Sequence, residues 1–335
     1  MNNKTASTMS LADLGWSAFF QDQLEEGDAA LRPARIATVH RSRMSAETLD
    51  GPARLLLPPK TNTTDFAVGD WVLLQADDNM LVRRLDRRSL LNRQAKGGRV
   101  PQLIAANVDT LFIVTSCNDD FNPARLERYL ALANEAGTKP VIVLTKADKI
   151  DDIAHYKDQA LALQRNLDVV AVNAKTPDAA SVLAPWCGNG QTVALVGSSG
   201  VGKSTLLNTL ADKGPEDAQL TGGIREDDAK GRHTTTSRSL HAIKGGGWLI
   251  DTPGMRTLHV ADVSVGLDVL FAEITELAPH CRFRDCTHSH EPGCAVQAAV
   301  TAGDLDPARL ERWRKLQDEN RDNTTASSQT RGKRR

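Results

Sequence analysis

Gly197-Ser198-Ser199-Gly200-Val201-Gly202-Lys203-Ser204 fits the pattern G-x-x-x-x-G-K-[ST], and Thr205 follows it. Such a loop holds a polyphosphate. Its glycines let successive backbone N–H groups curl around phosphate oxygens with no Cβ in the way. A lysine placed like Lys203 reaches the β- and γ-phosphates, and a hydroxyl placed like Ser204 ligates Mg²⁺. The apolar run Thr192 to Val196 before the loop and Leu206-Leu207 after it predict the strand–loop–helix context that the pattern needs. The helix N-terminus then adds its partial positive charge. A glycine-rich turn with a chance lysine would lack that setting.

Three further segments say which nucleotide. Thr145-Lys146-Ala147-Asp148 ends the apolar run Val141 to Leu144 and matches the guanine motif [NT]-K-x-D. A carboxylate at Asp148 accepts hydrogen bonds from guanine N1–H and the exocyclic amine. Adenine offers an acceptor and a bare C–H there, so the carboxylate would go unpaired, which discriminates by roughly 10⁴-fold. Asn173-Ala174-Lys175 ends the next apolar run and is similar to the [ST]-A-K loop, with Asn in the first place instead of the commoner Ser. Asp251-Thr252-Pro253-Gly254 follows Trp248 to Ile250 and matches D-x-x-G, with Asp251 reaching Mg²⁺ through a water and the Gly254 N–H reading the γ-phosphate. Between the phosphate loop and D-x-x-G, the stretch Gly222 to Ser237 must hold the threonine that completes the Mg²⁺ shell. Thr235 is favoured and Thr234 is the alternative.

The order of these pieces is permuted. Ordinary GTPases run phosphate loop, threonine loop, D-x-x-G, K-x-D and the A-K loop, whereas here the last two come first. Neighbouring termini can be joined and the chain cut elsewhere without dismantling a site. Met255 stands where many GTPases carry a water-orienting glutamine, so hydrolysis is expected to be slow. His233 is the candidate for positioning water; packing or phosphate contact is the other role open to it.

Cys281-x₄-Cys286-x-His288-x₅-Cys294 offers three thiolates and an imidazole, a closed structural set for tetrahedral Zn²⁺. His280 and His290 are spare imidazoles that could replace His288. Arg282 and Arg284 around the ligands, with Arg309, Arg312, Arg314 and Lys315 beyond, suggest a basic surface for RNA; a solvated helix is the plainer reading of the last four.

The elements that must position these groups alternate apolar strands with helices: Leu111 to Val114, Val141 to Leu144, Val169 to Val172, Val193 to Val196 and Trp248 to Ile250. A helix starts at Pro123 behind an Asn122 cap and ends by Gly137. This is α/β grammar, with a mostly parallel sheet covered on both faces. Short segments before it (Arg35 to His40, Arg54 to Leu57, Trp71 to Leu74, Met80 to Leu85) suggest a small antiparallel barrel of several conceivable kinds. Ala95 to Gln102 reads as a linker, Leu11 to Leu24 as an amphipathic piece that packs on something, and a last helix opens at Asp306-Pro307. A net charge of -1 gives no global attraction to nucleic acid, leaving local patches and the basic tail Arg331, Lys333, Arg334 and Arg335. The lack of a signal pattern or long apolar run, with cysteines crowded for metal, points to a cytoplasmic protein and no membrane.

With permuted motifs, Gly231-Arg232-His233-Thr234-Thr235-Thr236, D-T-P-G and the Cys₃His set in one chain, the sequence resembles the ribosome small subunit-dependent GTPase A family (RsgA, also YjeQ) over residues 35 to 320. The resemblance implies an oligonucleotide-binding barrel, a permuted GTPase and a helical zinc domain. It implies a monomer that binds GTP or GDP, docks on the small ribosomal subunit and its 16S-type rRNA late in maturation, and couples hydrolysis to release. The expected division is an N-terminal extension 1–32, a barrel 33–98, a GTPase domain 99–262, a zinc domain 263–322 and a disordered basic tail 323–335. A switch acting on a non-ribosomal partner, or an RNA scaffold with weak turnover, are the competing readings.

Overall fold

The computed structural model describes residues 9–93, 102–211, 238–252 and 262–332, with side chains as far as residue 325. Among the described residues of the N-terminal segment, Ala18–Gln21 is α-helical (α1) and Glu26–Asp28 forms a 3-10 turn. Its apolar residues nevertheless sink into the molecule: Leu14 and Phe20 are buried, and the Trp16 ring meets Trp71 edge-on at 4.8 Å.

Five strands follow: β1 (Leu31–Val39), β2 (Met44–Thr48), β3 (Gly51–Arg54), β4 (Trp71–Gln75) and β5 (Leu81–Arg84). The first half of β1 pairs with β4 and its second half with β2, across an irregularity between Ile36 and Thr38 that bends the strand. Leu81 N–H donates to the Leu56 carbonyl just beyond β3, so the order β1-β2-β3-β5-β4-β1 closes on itself. The small barrel expected from the turn spacing is therefore present, as a five-stranded closed barrel around Ala34, Ile36, Met44, Ala46, Leu55, Val72, Leu74 and Leu81. Its β2 was not expected from the sequence.

The stretch expected to be a linker borders an antiparallel hairpin, β6 (Leu90–Arg93) with β7 (Gln102–Ala106), so Gln102 is a strand residue. The boundary expected at 98/99 lies outside the described residues. Beyond it come β8 (Thr110–Ser116), α2 (Pro123–Glu135), β9 (Lys139–Thr145), α3 (Ile153–Leu161), β10 (Asp168–Ala171), α4 (Asp178–Leu183), β11 (Thr192–Val196), α5 (Lys203–Leu210), β12 (Ser239–Ala242) and β13 (Trp248–Asp251). Asn122 accepts from the Arg125 N–H and Pro123 opens α2, as its cap sequence predicts. The sheet order is β10-β9-β8-β11-β13-β12, parallel except for β12. Apolar residues cover both faces, hence the continuous hydrophobic runs. Through Thr38↔Ser239, β1 adds the barrel to the β12 edge.

The C-terminal part is helical: α6 (Ser264–Leu270), α7 (Ala272–Leu277), α8 (Ala295–Ala302) and α9 (Pro307–Gly332). The tail expected to be disordered from 323 continues as helix to Gly332. Arg309 on α9 is buried; its guanidinium donates to Glu127 (2.7 Å), Glu273 (2.7 Å) and the Leu270 carbonyl. Glu127 is a fully buried residue of α2 and also accepts from Arg312. The basic helix surface expected from Arg309 and Arg312 is thus a domain joint, and Arg314 is turned inward onto the His288 carbonyl. Only Lys315 of that set is exposed, paired with Glu311 one turn away.

A second buried arginine joins the barrel to the larger sheet. Arg35 on β1 donates to the Leu14 carbonyl (2.7 Å) and to the Thr192 hydroxyl (2.6 Å) at the start of β11. Burial lowers its pKa to about 10, which leaves it cationic at neutral pH.

Candidate functional site

β8, β9, β10, β11 and β13 run parallel, so their C-terminal ends share one edge of the sheet. Open α/β sheets bind ligands at that edge. The phosphate loop leaves β11 there, the guanine motif leaves β9, the Asn173 loop leaves β10 and Asp251 ends β13.

Local chemistry draws the loops together. The phosphate loop turns through Gly197, Gly200 and Gly202, all at positive φ. At Gly197 a Cβ would collide with the Val114 carbonyl of β8, so the loop can lie against its neighbour only as glycine. Thr145, the first residue of the guanine motif, is buried; its hydroxyl donates to the Val201 carbonyl at 2.6 Å. That bond ties the base-recognition segment to the phosphate segment. Lys146 takes a left-handed conformation (φ 56), which turns the chain into the short helix Ala147–Lys149 and leaves Asp148 exposed. Thr209 on α5 donates to the Ala174 carbonyl at 2.7 Å, and Asn173 accepts from the Lys175 N–H at 3.1 Å. The Thr252 hydroxyl holds the D-x-x-G strand against the Leu195 carbonyl of β11.

Lys203 opens α5 and donates to the Gly197 carbonyl at 2.9 Å and to that of Ser198. Its ammonium is folded over the loop's own backbone, where a phosphate could take over those contacts. Ser198, Ser199, Ser204 and Thr205 lie in the loop and the first turn of α5. His233, Thr234, Thr235, Gly254 and Met255 lie outside the described residues. The tethering hydroxyls of Thr209 and Thr252 were missed in the sequence, where nothing distinguishes them from ordinary helix and loop threonines.

A second site sits between α7 and α9. Ligand atoms of Cys281, Cys286, His288 and Cys294 all lie within 4.8 Å of one another. His288 Nδ1 is 3.5 Å from Cys281 Sγ and 3.4 Å from Cys294 Sγ, and the two sulfurs are 3.8 Å apart. A tetrahedral Zn²⁺ with ordinary bond lengths needs edges of about 3.8 Å between sulfurs and about 3.5 Å between sulfur and nitrogen. The cluster fits a metal of that kind. His280 and His290, the spare imidazoles, are exposed and outside it.

Supporting residues fix His288. Its carbonyl accepts from Gln297 (2.6 Å) and Arg314, and the Trp313 ring lies 5.5 Å from the imidazole. Burial holds the imidazole below its ordinary pKa, keeping the neutral ring that a metal needs. Glu291 accepts from the Thr287 hydroxyl and from the N–H groups of Thr287, Ser289 and His290, which holds its carboxyl well below the usual range and braces the loop. Sequence spacing showed the ligands but not these braces.

Comparisons with known proteins agree with this geometry. The family model described as RsgA GTPase matches residues 84–261. A protein of Mesorhizobium japonicum named small ribosomal subunit biogenesis GTPase RsgA is 67% identical over 98% of this chain and 95% of its own length. One from Vibrio parahaemolyticus, named small ribosomal subunit biogenesis GTPase RsgA 2, is 50% identical over 91% of this chain and 84% of its own. Among solved structures, YjeQ from Thermotoga maritima superposes with a TM-score of 0.61 at 25% identity, covering 85% of this chain and 97% of that one. YloQ, titled a circularly permuted GTPase, shares the fold at 24% identity and the same TM-score, over 89% of this chain and 98% of its own. The permuted motif order, the closed barrel ahead of it and the cysteine–histidine cluster behind it all agree: this chain belongs to the RsgA GTPase family.

Proposed function

We propose that this chain hydrolyses GTP while bound to the small ribosomal subunit, late in that subunit's assembly, and that hydrolysis is coupled to its release. The observation that carries this is the Thr145–Val201 bond, which joins guanine and phosphate motifs at one sheet edge, in a chain 67% identical to a relative bearing the biogenesis name.

The residue roles follow from placement. Backbone N–H groups from Gly197 to Thr205 cradle the phosphates, Lys203 swings from its carbonyls to the β- and γ-phosphates, and Asp148 with Lys146 and the Asn173-Ala174-Lys175 loop encloses guanine. Ser204, Thr235 and a water on Asp251 would hold Mg²⁺, which would supply neutralisation of phosphate charge. His233 orients the attacking water, and the Gly254 N–H faces the γ-phosphate. Cys281, Cys286, His288 and Cys294 would hold Zn²⁺, which supplies folding energy rather than chemistry, because the donor set is closed. The barrel and the zinc module contact 16S-type rRNA, and the protein acts as a cytoplasmic monomer.

The decisive experiment measures GTP turnover with purified small subunits, large subunits or neither. Turnover should rise with small subunits alone; a flat response removes the ribosomal assignment. His233→Ala should lower turnover strongly and leave GTP affinity intact. Unchanged turnover would strip that residue of its role.

A further inference from the structure

The barrel meets the GTPase sheet through a narrow ladder. Among the described residues, β1 and β12 share one register pair, Thr38↔Ser239. On the GTPase side Ser239 lies directly opposite Asp251 of β13. On the barrel side Thr38 lies opposite Ser45 of β2, and Ser45 lies opposite Arg54 of β3. Residues directly opposed in antiparallel pairs point to the same face. Arg54, Ser45, Thr38, Ser239 and Asp251 therefore form one polar row across five strands, about 19 Å from end to end at four strand spacings.

The chemistry of the row is uneven in a useful way. Its outer end, Arg54, is exposed, as are Arg41 and Arg43 at the turn between β1 and β2. Its inner end is the aspartate of D-x-x-G. Between them the Thr38 and Ser45 hydroxyls are bonded at 2.7 Å, and the Ser239 hydroxyl is bonded to the His241 imidazole at 2.7 Å. Ala37 beside Thr38 and Leu240 beside Ser239 are buried, and protein interiors are close-packed, so a displacement of β1 is passed on to its neighbours. Ser239 also stands two residues after the threonine-rich stretch that ends at Ser237.

We infer that this row is a positioning device: Ser239 sets the place of Asp251, and Thr38 passes to Ser239 the strain produced when an anionic RNA backbone binds the arginines of the barrel. This rests on the ribosomal reading above and goes beyond it by naming the residues through which subunit binding reaches the nucleotide. A small shift suffices, because misplacing a reacting geometry by about 1 Å costs around 100-fold in rate.

Two substitutions in the full-length protein test it. Thr38→Val keeps the shape and strand preference of the residue but breaks the bond to Ser45. It should leave basal turnover and small-subunit affinity within about two-fold of the parent and cut subunit stimulation by roughly three-fold or more. Thr38→Ser should keep the stimulation. Equal stimulation in Thr38→Val, or equal loss in Thr38→Ser, overturns the row. Ser239→Ala is read by binding rather than turnover. The Mg²⁺ concentration that half-saturates binding of a fluorescent GTP analogue should rise roughly three-fold, with Mg²⁺-free binding unchanged. An unchanged Mg²⁺ requirement overturns the role of Ser239. Should the parent protein ignore small subunits, the ribosomal reading falls, and the Mg²⁺ arm still decides whether Ser239 positions Asp251.

Discussion

Replacing Arg309 by leucine should destabilise the protein more than replacing its partner Glu127. The side chains of Arg309 and Glu127 are 6% and 0% exposed, so neither charge has water to fall back on. Without Arg309, Glu127 keeps only the Arg312 Nε contact at 2.9 Å, and its Oε2 already has no hydrogen-bond partner. A buried carboxylate stranded in this way costs about 3–5 kcal/mol. In Glu127→Leu the arginine retains Glu273, the Leu270 carbonyl and the Phe271 ring 4.1 Å beneath it. The loss there should be nearer about 1.5–3 kcal/mol, that of one charge-assisted bond. The double variant removes both charges, so its loss should fall short of the sum of the two single losses by about 2 kcal/mol. Urea unfolding with zinc in excess, followed by circular dichroism, measures all three. Strict additivity, or a cost below about 1 kcal/mol for Arg309→Leu, would refute the claim that this pair fastens the C-terminal module to α2.

Three further outcomes follow from the sites. Asp148→Asn should weaken GTP binding by about 100-fold through loss of its charge-assisted bonds, and should improve binding of xanthosine triphosphate, whose C2 carbonyl accepts from the new amide; calorimetry with both nucleotides decides. Cys294→Ser removes one of the four clustered donors and also the sulfur that caps α8 through the Gln297 N–H, so the purified variant should carry less zinc than the parent by elemental analysis and lose the fixed environment of Trp313 by fluorescence. Burial pushes the Cys187 thiol up to about 12. A raised thiol pKa keeps the thiolate scarce, so iodoacetamide labelling of native Cys187 should stay negligible from pH 7 to 9 and appear only on unfolding, by mass spectrometry.

The parts of the fold legible in the sequence are those set by local rules. Glycines in G-x-x-x-x-G-K-S mark left-handed turns, Asn122-Pro123 marks a helix start, and apolar runs mark strands buried on both faces. The cysteine spacing likewise pointed to a cluster of possible metal donors, because four such groups within fourteen residues need little help from the rest of the fold to meet. What stayed hidden depends on distant partners. Arg309 and Arg312 look like surface charges until α2 brings Glu127 against them. Met44–Thr48 alternates Met44, Ala46 and Thr48 inward, too weak a signal to separate from a loop without its neighbours β1 and β3. The N-terminal piece showed aromatic residues but not their destination, which is the junction of barrel and sheet.

Permutation also changes what the edges of the sheet must do. Three of the strands that end in nucleotide motifs, β9, β11 and β13, lie inside the sheet, while β10 and β12 are outermost in the GTPase part. An uncovered edge strand invites pairing with another chain. On one side β1 of the barrel takes that position, and the N-terminal segment seals the seam, with Trp248 Nε1 donating to the Asp13 carbonyl and Asn189 to its carboxylate. Gly190 completes the seal, because a Cβ there would strike the Ala12 carbonyl. The barrel is therefore fused to the GTPase sheet rather than strung beside it. A rigid joint of this kind can carry force from a bound surface to the D-x-x-G strand, which a flexible tether could not.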